Sequence, residues 1–255
     1  MNLGGEIVKG VILAGGKGTR LYPLTKSLNK HLLPVGPEPM IYNPIRNMRA
    51  CGIKDVLIIT STEHMGDMVN LLGSGSEFGL RFAYKVQDEA KGIADALRLA
   101  REFANNENIL VILGDNIFEK PIDYFVKNYN SIQKGKGARV LLVKVSEPQR
   151  FGVAALDEHK VIEIQEKPEN PRSDYAVVGA YIYDARVFDI IDHIKPSARG
   201  EYEITSVNNK YIELNELEYD FVQGRWMDTG TFESYFIANK IMFKKHFKDL
   251  GDELE

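Results

Sequence analysis

The chain has 255 residues and a formal net charge of −4, with 44% hydrophobic and 27% charged residues, a balance suited to a folded chain with a sizeable core. Disordered, collagen-like and coiled-coil sequences have different compositions. The single cysteine, Cys51, permits no intramolecular disulfide, and five scattered histidines show no metal-ligand spacing. The opening MNLGGEIVKGVILAGG has no cationic flank before its apolar run, which glycines soon interrupt, so it does not read as a secretory signal. No stretch approaches the roughly 18 apolar residues of a membrane span and there is no polybasic tail, so the expectation is a cytoplasmic protein with neither a membrane nor a nucleic-acid partner.

In chain order, apolar β-branched runs at 7–14, 56–60, 80–86 and 109–113 read as buried strands. Helical patterns at 65–72, 93–103 and 122–132 alternate with them, the order of a mostly parallel sheet covered on both faces. From Ala138 the spacing changes to close strands at 140–145, 152–156, 161–165 and 176–183, a β-rich extension of the same sheet. Helices are expected at 203–214 and 231–247, the latter with Phe232, Tyr235, Phe236, Met242 and Phe243 on a stripe that predicts core packing. The organisation expected is one α/β domain over 1–255. Its parts are a nucleotide-binding part at about 1–137, a sugar-phosphate-binding part at about 138–230, and a final helix and tail at 231–255.

The first fifty residues hold seven cations against Glu6 and Glu38, which points to an anionic ligand or a solvated basic face. Straight after the first strand stands Gly15-Gly16-Lys17-Gly18-Thr19-Arg20. Glycines there let successive N–H groups approach one anion, and Lys17 and Arg20 add charge-assisted bonds, so phosphate suits the loop. Neither a P-loop nor a dinucleotide fingerprint fits, because Gly15 is followed by Gly16 and Leu21 stands where the latter needs glycine. A glycine-rich turn without a ligand is the plain alternative.

The run GVILAGGKGTRLYPLTKSLNKHLLPVGPEPMIYNP resembles the opening signature of the sugar nucleotidyltransferases, most closely the branch that joins thymidylate to glucose 1-phosphate. Further blocks follow in the same order: LLGSGSEFGL, VQDEAKGIADA, LGDN, RFGV, EKPENPRSDYAVVGAY, KPSARGEYEIT and WMDTGT. The resemblance implies a Rossmann-like three-layer nucleotidyltransferase fold, the substrates dTTP and glucose 1-phosphate, Mg²⁺, and a homo-oligomer, dimer or tetramer. Uridylyl transfer from UTP, or a catalytically silent sugar-nucleotide-binding regulatory homologue, are the alternatives. His31 stands where the family commonly has Gln and Ser206 where it commonly has Asp. The chain stops roughly forty residues before longer family members, so an effector pocket built from their extra segment is not expected.

By the same resemblance, Asp115 and Asp228 hold Mg²⁺, and Arg20, Lys30, Asp115, Lys167 and Asp228 are catalytic. Leu13, Gly15, Gly16, Gly18, Thr19, Arg20, Gln87, Gly92 and Asp115 bind the nucleotide, with Gln87 and Gly92 at the pyrimidine. Gly152, Glu166, Lys167, Val178, Arg199 and Glu201 bind the sugar phosphate. Taken singly, Asp115 suits a turn before Asn116, Asp228 a helix cap, the cations a solvated surface, Glu166 and Glu201 a charged edge, and Gln87 and Gly92 a plain strand-to-helix loop. No Ser/His/Asp or Cys/His constellation is seen, and phosphoryl chemistry needs none: a phosphate monoester, with a second pKa of about 6, is already a nucleophilic dianion at pH 7.

Overall fold

The structure, a computed structural model, describes residues 9–247; Ile7 and Val8 of the first expected strand and the 248–255 tail lie outside the described residues. The chain runs through β1 (Lys9–Ala14), β2 (Pro34–Val35), β3 (Glu38–Pro39), α1 (Tyr42–Ala50), β4 (Asp55–Ser61), α2 (Met65–Leu72), β5 (Arg81–Gln87), α3 (Ile93–Arg98), α4 (Arg101–Ala104), β6 (Ile109–Leu113), β7 (Asn116–Phe118) and α5 (Asp123–Ile132). It continues with β8 (Ala138–Lys144), β9 (Gly152–Asp157), β10 (Lys160–Glu166), β11 (Tyr175–Tyr183), α6 (Val187–His193), α7 (Ile204–Glu213), β12 (Leu217–Phe221), β13 (Trp226–Asp228) and α8 (Phe232–His246).

One row of the main sheet reads β5-β4-β1-β6-β11-β8-β12, and the β9-β10 hairpin branches from the start of β11. In that row β11 alone runs against its neighbours. Its later residues pair with β6 (Ala180↔Ile112), while its early ones pair with β9 (Val177↔Gly152). Parallel strands joined by helical crossovers are covered on both faces, which is why β1, β4 and β6 are apolar at successive positions. Val11, Leu13, Leu57, Ile59, Ile109 and Val111 pack under α3, α4, α6 and α7; Ile12, Ile58, Leu110 and Ile112 pack under α1, α2 and α5. The result is the α/β three-layer arrangement expected, with a smaller third cluster of Leu21, Leu33, Met40, Ile117, Met227, Ala238 and Met242 beneath α8.

Several expectations need correction. The helix expected at 93–103 is two, α3 and α4, because Leu99 and Ala100 bond back three residues, to Ala96 and Leu97, and tighten the turn between them. The stripe of α8 is core only in part: Met242 is buried and Tyr235 packs against the third cluster, but Phe236 is 67% and Phe232 46% exposed. The helix docks along a narrow line, where Asn239 Oδ1 accepts from Gly36 N–H at 3.0 Å and Tyr235 donates to Pro34 O at 2.6 Å. Seven elements were not foreseen: α1, α6, β12 and the two-stranded ribbons of β2 with β3 and of β7 with β13.

Candidate active site

β1 ends at Ala14, and the glycine loop leaves from the carboxyl edge of the sheet. A Cβ on Gly15 would lie 2.9 Å from Gln87 Oε1, so the missing side chain lets β5's last residue reach the loop. Gly18 takes φ +64° and Thr25 Oγ1 donates to its carbonyl at 2.8 Å, which folds the loop back into a short turn over Thr19–Leu21. Beneath it, buried Asn29 donates to Ala14 O (3.3 Å) and accepts from both His31 N–H (2.9 Å) and His31 Nδ1 (2.6 Å). That anchor sets Lys30 against Asp115, its ammonium donating to Oδ2.

Asp115 follows β6, where open α/β sheets place their ligands. Asn116 Nδ2 donates to its Oδ1 (3.0 Å), while Asn116 Oδ1 accepts from Gly179 N–H (2.8 Å) and Trp226 Nε1 (2.7 Å). The pairing Asn116↔Asp228 in the β7-β13 ribbon sets the second carboxylate beside the first, and Thr229 locks the junction by donating its N–H (3.1 Å) and Oγ1 (2.8 Å) to Asp115 O. Asp228 caps no helix; Thr231 caps α8, accepting from Ser234 N–H. Burial favours the neutral acid of Asp115, but the Lys30 ammonium outweighs it and holds the carboxyl well below the usual range. Burial and then the Asp115 charge push Asp228 the other way, up to about 6. His31 is kept neutral by burial and by Lys30, its pKa lowered to about 3.

These groups line two adjoining cavities, about 280 Å³ and 220 Å³, that share Asp115, Glu166 and Lys167 in their walls. Leu13, Gly15, Gly16, Lys30, Gln87 and Gly92 line the first, as do Arg199 and Glu201. Arg20, Gly152 and Asp228 border the second. Arg199 pairs with Glu201 Oε2 (2.5 Å) and Glu203 Oε1 (3.4 Å), and Thr205 donates to Glu166 Oε2 (2.6 Å). Lys167 holds φ +44°, a left-handed backbone uncommon for lysine, and its N–H donates to Phe151 O at 3.0 Å.

Three expected residues are not on the wall. Gly18 and Thr19 shape the loop's return instead, and Val178 is fully buried in the core on the opposite face, because alternate residues of β11 point to opposite sides; Val177 and Gly179 border the cavity in its place. Ser206 does not line it either, whereas His31 does. Sequence reasoning assigned no role to Arg150, Tyr181, Glu203, Thr205, Asn208 and Trp226, which also line it. All but Asn208 stand in quoted blocks, so position in a block was the available signal. Asn208 is 1% exposed; its Oδ1 accepts from Tyr183 Oη at 2.6 Å, while its Nδ2 is buried without a hydrogen-bond partner.

The model of the nucleotidyl transferase family matches residues 9–245. The chain belongs to that family. Among nucleotidyl transferases, it is 43% identical over 231 residues to the glucose-1-phosphate thymidylyltransferase of Neisseria meningitidis serogroup A, covering 89% of this chain and 80% of that protein. To the enzyme of the same name from Mycolicibacterium smegmatis it is 39% identical over 236 residues, with 91% and 81% covered. A Bacillus anthracis protein, provisionally assigned as a glucose-1-phosphate thymidylyltransferase and solved with sucrose, superposes with a TM-score of 0.88 at 52% identity, covering 92% of this chain and 95% of that one. A UDP-glucose pyrophosphorylase solved with UDP-glucose gives 0.82 at 26% identity, covering 94% and 99%.

Membership of the nucleotidyl transferase family points to a divalent metal ion, and the carboxylates fit one. Asp115 and Asp228 are hard oxygen donors that repel each other, and the Asp228 carboxylate has no hydrogen-bond partner among the described residues. No group of three or more His, Cys, Asp or Glu that could hold a metal ion is found among the described residues. A two-carboxylate site of this kind relies on water and substrate oxygens for its other ligands. No helix among the described residues is long and apolar enough to cross a membrane.

Proposed function

We infer that this chain transfers a thymidylyl group from dTTP to glucose 1-phosphate, forming dTDP-glucose and pyrophosphate with Mg²⁺. The observation that carries the reading is the convergence of the glycine loop, Lys30 and the Asp115–Asp228 pair on adjoining cavities that Lys167, Arg199, Glu166 and Glu201 also line. Relatives bearing that activity in their names cover nine-tenths of the chain, 89% and 91%.

The sugar's phosphate oxygen attacks the α-phosphorus of dTTP, the new P–O bond forms, and the bond to the bridging oxygen of pyrophosphate breaks. Two anions must therefore meet, and the work of the site is to relieve their repulsion and hold them in line. Lys30 is positioned to neutralise phosphate charge near the reacting centre, Arg20 to hold the leaving β- and γ-phosphates, and Lys167 with Arg199 the attacking phosphate. Glu166 and Glu201 accept hydrogen bonds from sugar hydroxyls. Mg²⁺, held by Asp115 and Asp228, would supply electrostatic stabilisation of the phosphates. Gln87 and Gly92 face the base. Exposed Phe232, Phe236, Ile237 and Phe247 support a homo-oligomer. The charge on both substrates confines them to the compartment that makes them, which supports a cytoplasmic site of action.

The test is a matrix of dTTP, UTP, dCTP and ATP against glucose, galactose and mannose 1-phosphates, scored by pyrophosphate release with Mg²⁺ or EDTA. The highest turnover is expected for dTTP with glucose 1-phosphate, abolished by EDTA. Higher turnover with UTP would make the protein a uridylyltransferase, since one methyl group is worth only about 1 to 3 kcal/mol. Sugar-nucleotide binding without turnover in any cell would make it a silent homologue.

A further inference from the structure

Gln87, the last residue of β5, is 8% exposed, and its amide nitrogen donates to Asp95 Oδ2 at 3.3 Å. Asp95 lies in the first turn of α3, and its other oxygen accepts from Arg98 Nη1 at 3.3 Å. A carboxylate only accepts hydrogen bonds, so this partner dictates which end of the Gln87 amide faces it. The carbonyl Oε1 is thereby turned the other way, to the side of Gly15, within 2.9 Å of where a Cβ on that residue would stand. Oε1 has no partner among the described residues, and Gln87 lines the cavity. The site thus offers a base an acceptor of fixed orientation.

We propose that Asp95 is a positioning residue for nucleotide choice: by fixing the Gln87 amide, it makes the cavity read a pyrimidine N3–H and reject cytosine. This rests on the assignment of Gln87 to the base in the reading above. Thymine and uracil carry a hydrogen on N3 and meet Oε1 with a donor. Cytosine carries a lone pair there, which faces the lone pairs of Oε1. Relief would need the amide to flip, giving up its bond to Asp95 and turning Oε1 onto a carboxylate. A hydrogen bond to a charged group is worth about 1.5 to 3 kcal/mol, so holding the amide contributes about ten- to hundredfold to discrimination. Asp95 does not separate thymine from uracil, which present the same N3–H.

The test compares kcat/KM for dTTP and dCTP, each measured with glucose 1-phosphate, in the parent and in Asp95→Asn, Asp95→Ala and Arg98→Gln. Asparagine offers both an acceptor and a donor, so it lets the Gln87 amide settle either way; alanine removes the constraint. Both should shrink the dTTP to dCTP ratio about ten- to hundredfold, with dCTP use rising in absolute terms, while the ratio of dTTP to UTP stays as in the parent. Arg98→Gln loosens the same turn but leaves an acceptor at Asp95, and should keep the parent's ratio. Each ratio is taken within one protein, so a lower folded fraction cancels from it. An unchanged dTTP to dCTP ratio in both Asp95 variants overturns the proposal while leaving the thymidylyl reading intact, as does an equal shift in Arg98→Gln. A parent inactive with dTTP and UTP alike overturns both.

Discussion

Gly92 is the tightest backbone crossing in the cavity wall, and replacing it with alanine should be costly in a way that can be decomposed. Its φ is +104°, and a Cβ would stand 2.5 Å from Tyr202 O and 2.8 Å from Tyr202 N. Both are backbone atoms and neither can swing aside. Tyr202 is held there by two hydrogen bonds, its N–H donating to Lys91 O (2.7 Å) and its carbonyl accepting from Ala94 N–H (3.1 Å). Forcing the segments apart sacrifices both, at about 1 kcal/mol each, and adds about 1 to 3 kcal/mol for an L residue at that φ. Gly92→Ala should therefore lose about 3 to 5 kcal/mol of unfolding free energy, or on the order of 10 °C in Tm for a chain this size. Gly52 provides the internal reference: it sits at φ +79° with nothing within 4 Å of its would-be Cβ, so Gly52→Ala isolates the conformational part. Urea titrations of the two variants measure the difference directly. If Gly92→Ala costs no more than Gly52→Ala, the 88–92 loop is not clamped to Tyr202 and the two walls are independent. If the clamp exists, KM should rise for nucleotide and sugar phosphate together, since Gly92 and Glu203 border the same space.

Asp228→Asn should lower turnover about 10² to 10³-fold, measured at saturating Mg²⁺. Because the folded-state pKa of Asp228 is raised to about 6, its ionisation weakens the fold as pH rises through that value. The same variant should accordingly be more stable than the parent at pH 8 in EDTA, with the gain vanishing near pH 3; a pH-independent difference in thermal melts would contradict this. Lys167→Ala should weaken glucose 1-phosphate binding with dTTP binding nearly intact, and Gln87→Ala the reverse, as calorimetry on each ligand would show. Thr231→Ala removes the cap of α8 and should cost about 1 kcal/mol in denaturant titrations, with little change in turnover.

The strands β1, β4 and β6 were legible because a strand buried on both faces leaves an unbroken apolar run, and α2 because its apolar positions recur at helical spacing. By contrast α1 was hidden by Pro44, which reads as a breaker yet stands in the first turn, where no intrahelical N–H bond is lost. In β12, Glu218 and Asp220 alternate with Leu217, Tyr219 and Phe221 on an edge strand too polar to resemble the core. The three-residue β13 carries Asp228, but nothing local to it says that Asp115 is its neighbour. That proximity comes from the ribbon with β7, a pairing between distant parts of the chain. The α8 stripe failed at Phe232 and Phe236 for the converse reason: periodicity reports an apolar face, not what covers it, and here Tyr235, Ala238 and Met242 do the docking.

The reversed strand β11 has a consequence for how the protein comes into being. Until Ala180–Tyr183 has left the ribosome, β6 lacks its partner on one side, and an apolar strand edge stands open to other nascent chains. The amino-terminal half therefore cannot finish folding during its own synthesis. A truncation at the end of α5 should yield an aggregating fragment, and supplying residues 138–247 as a separate chain should rescue its solubility if the missing edge is the cause.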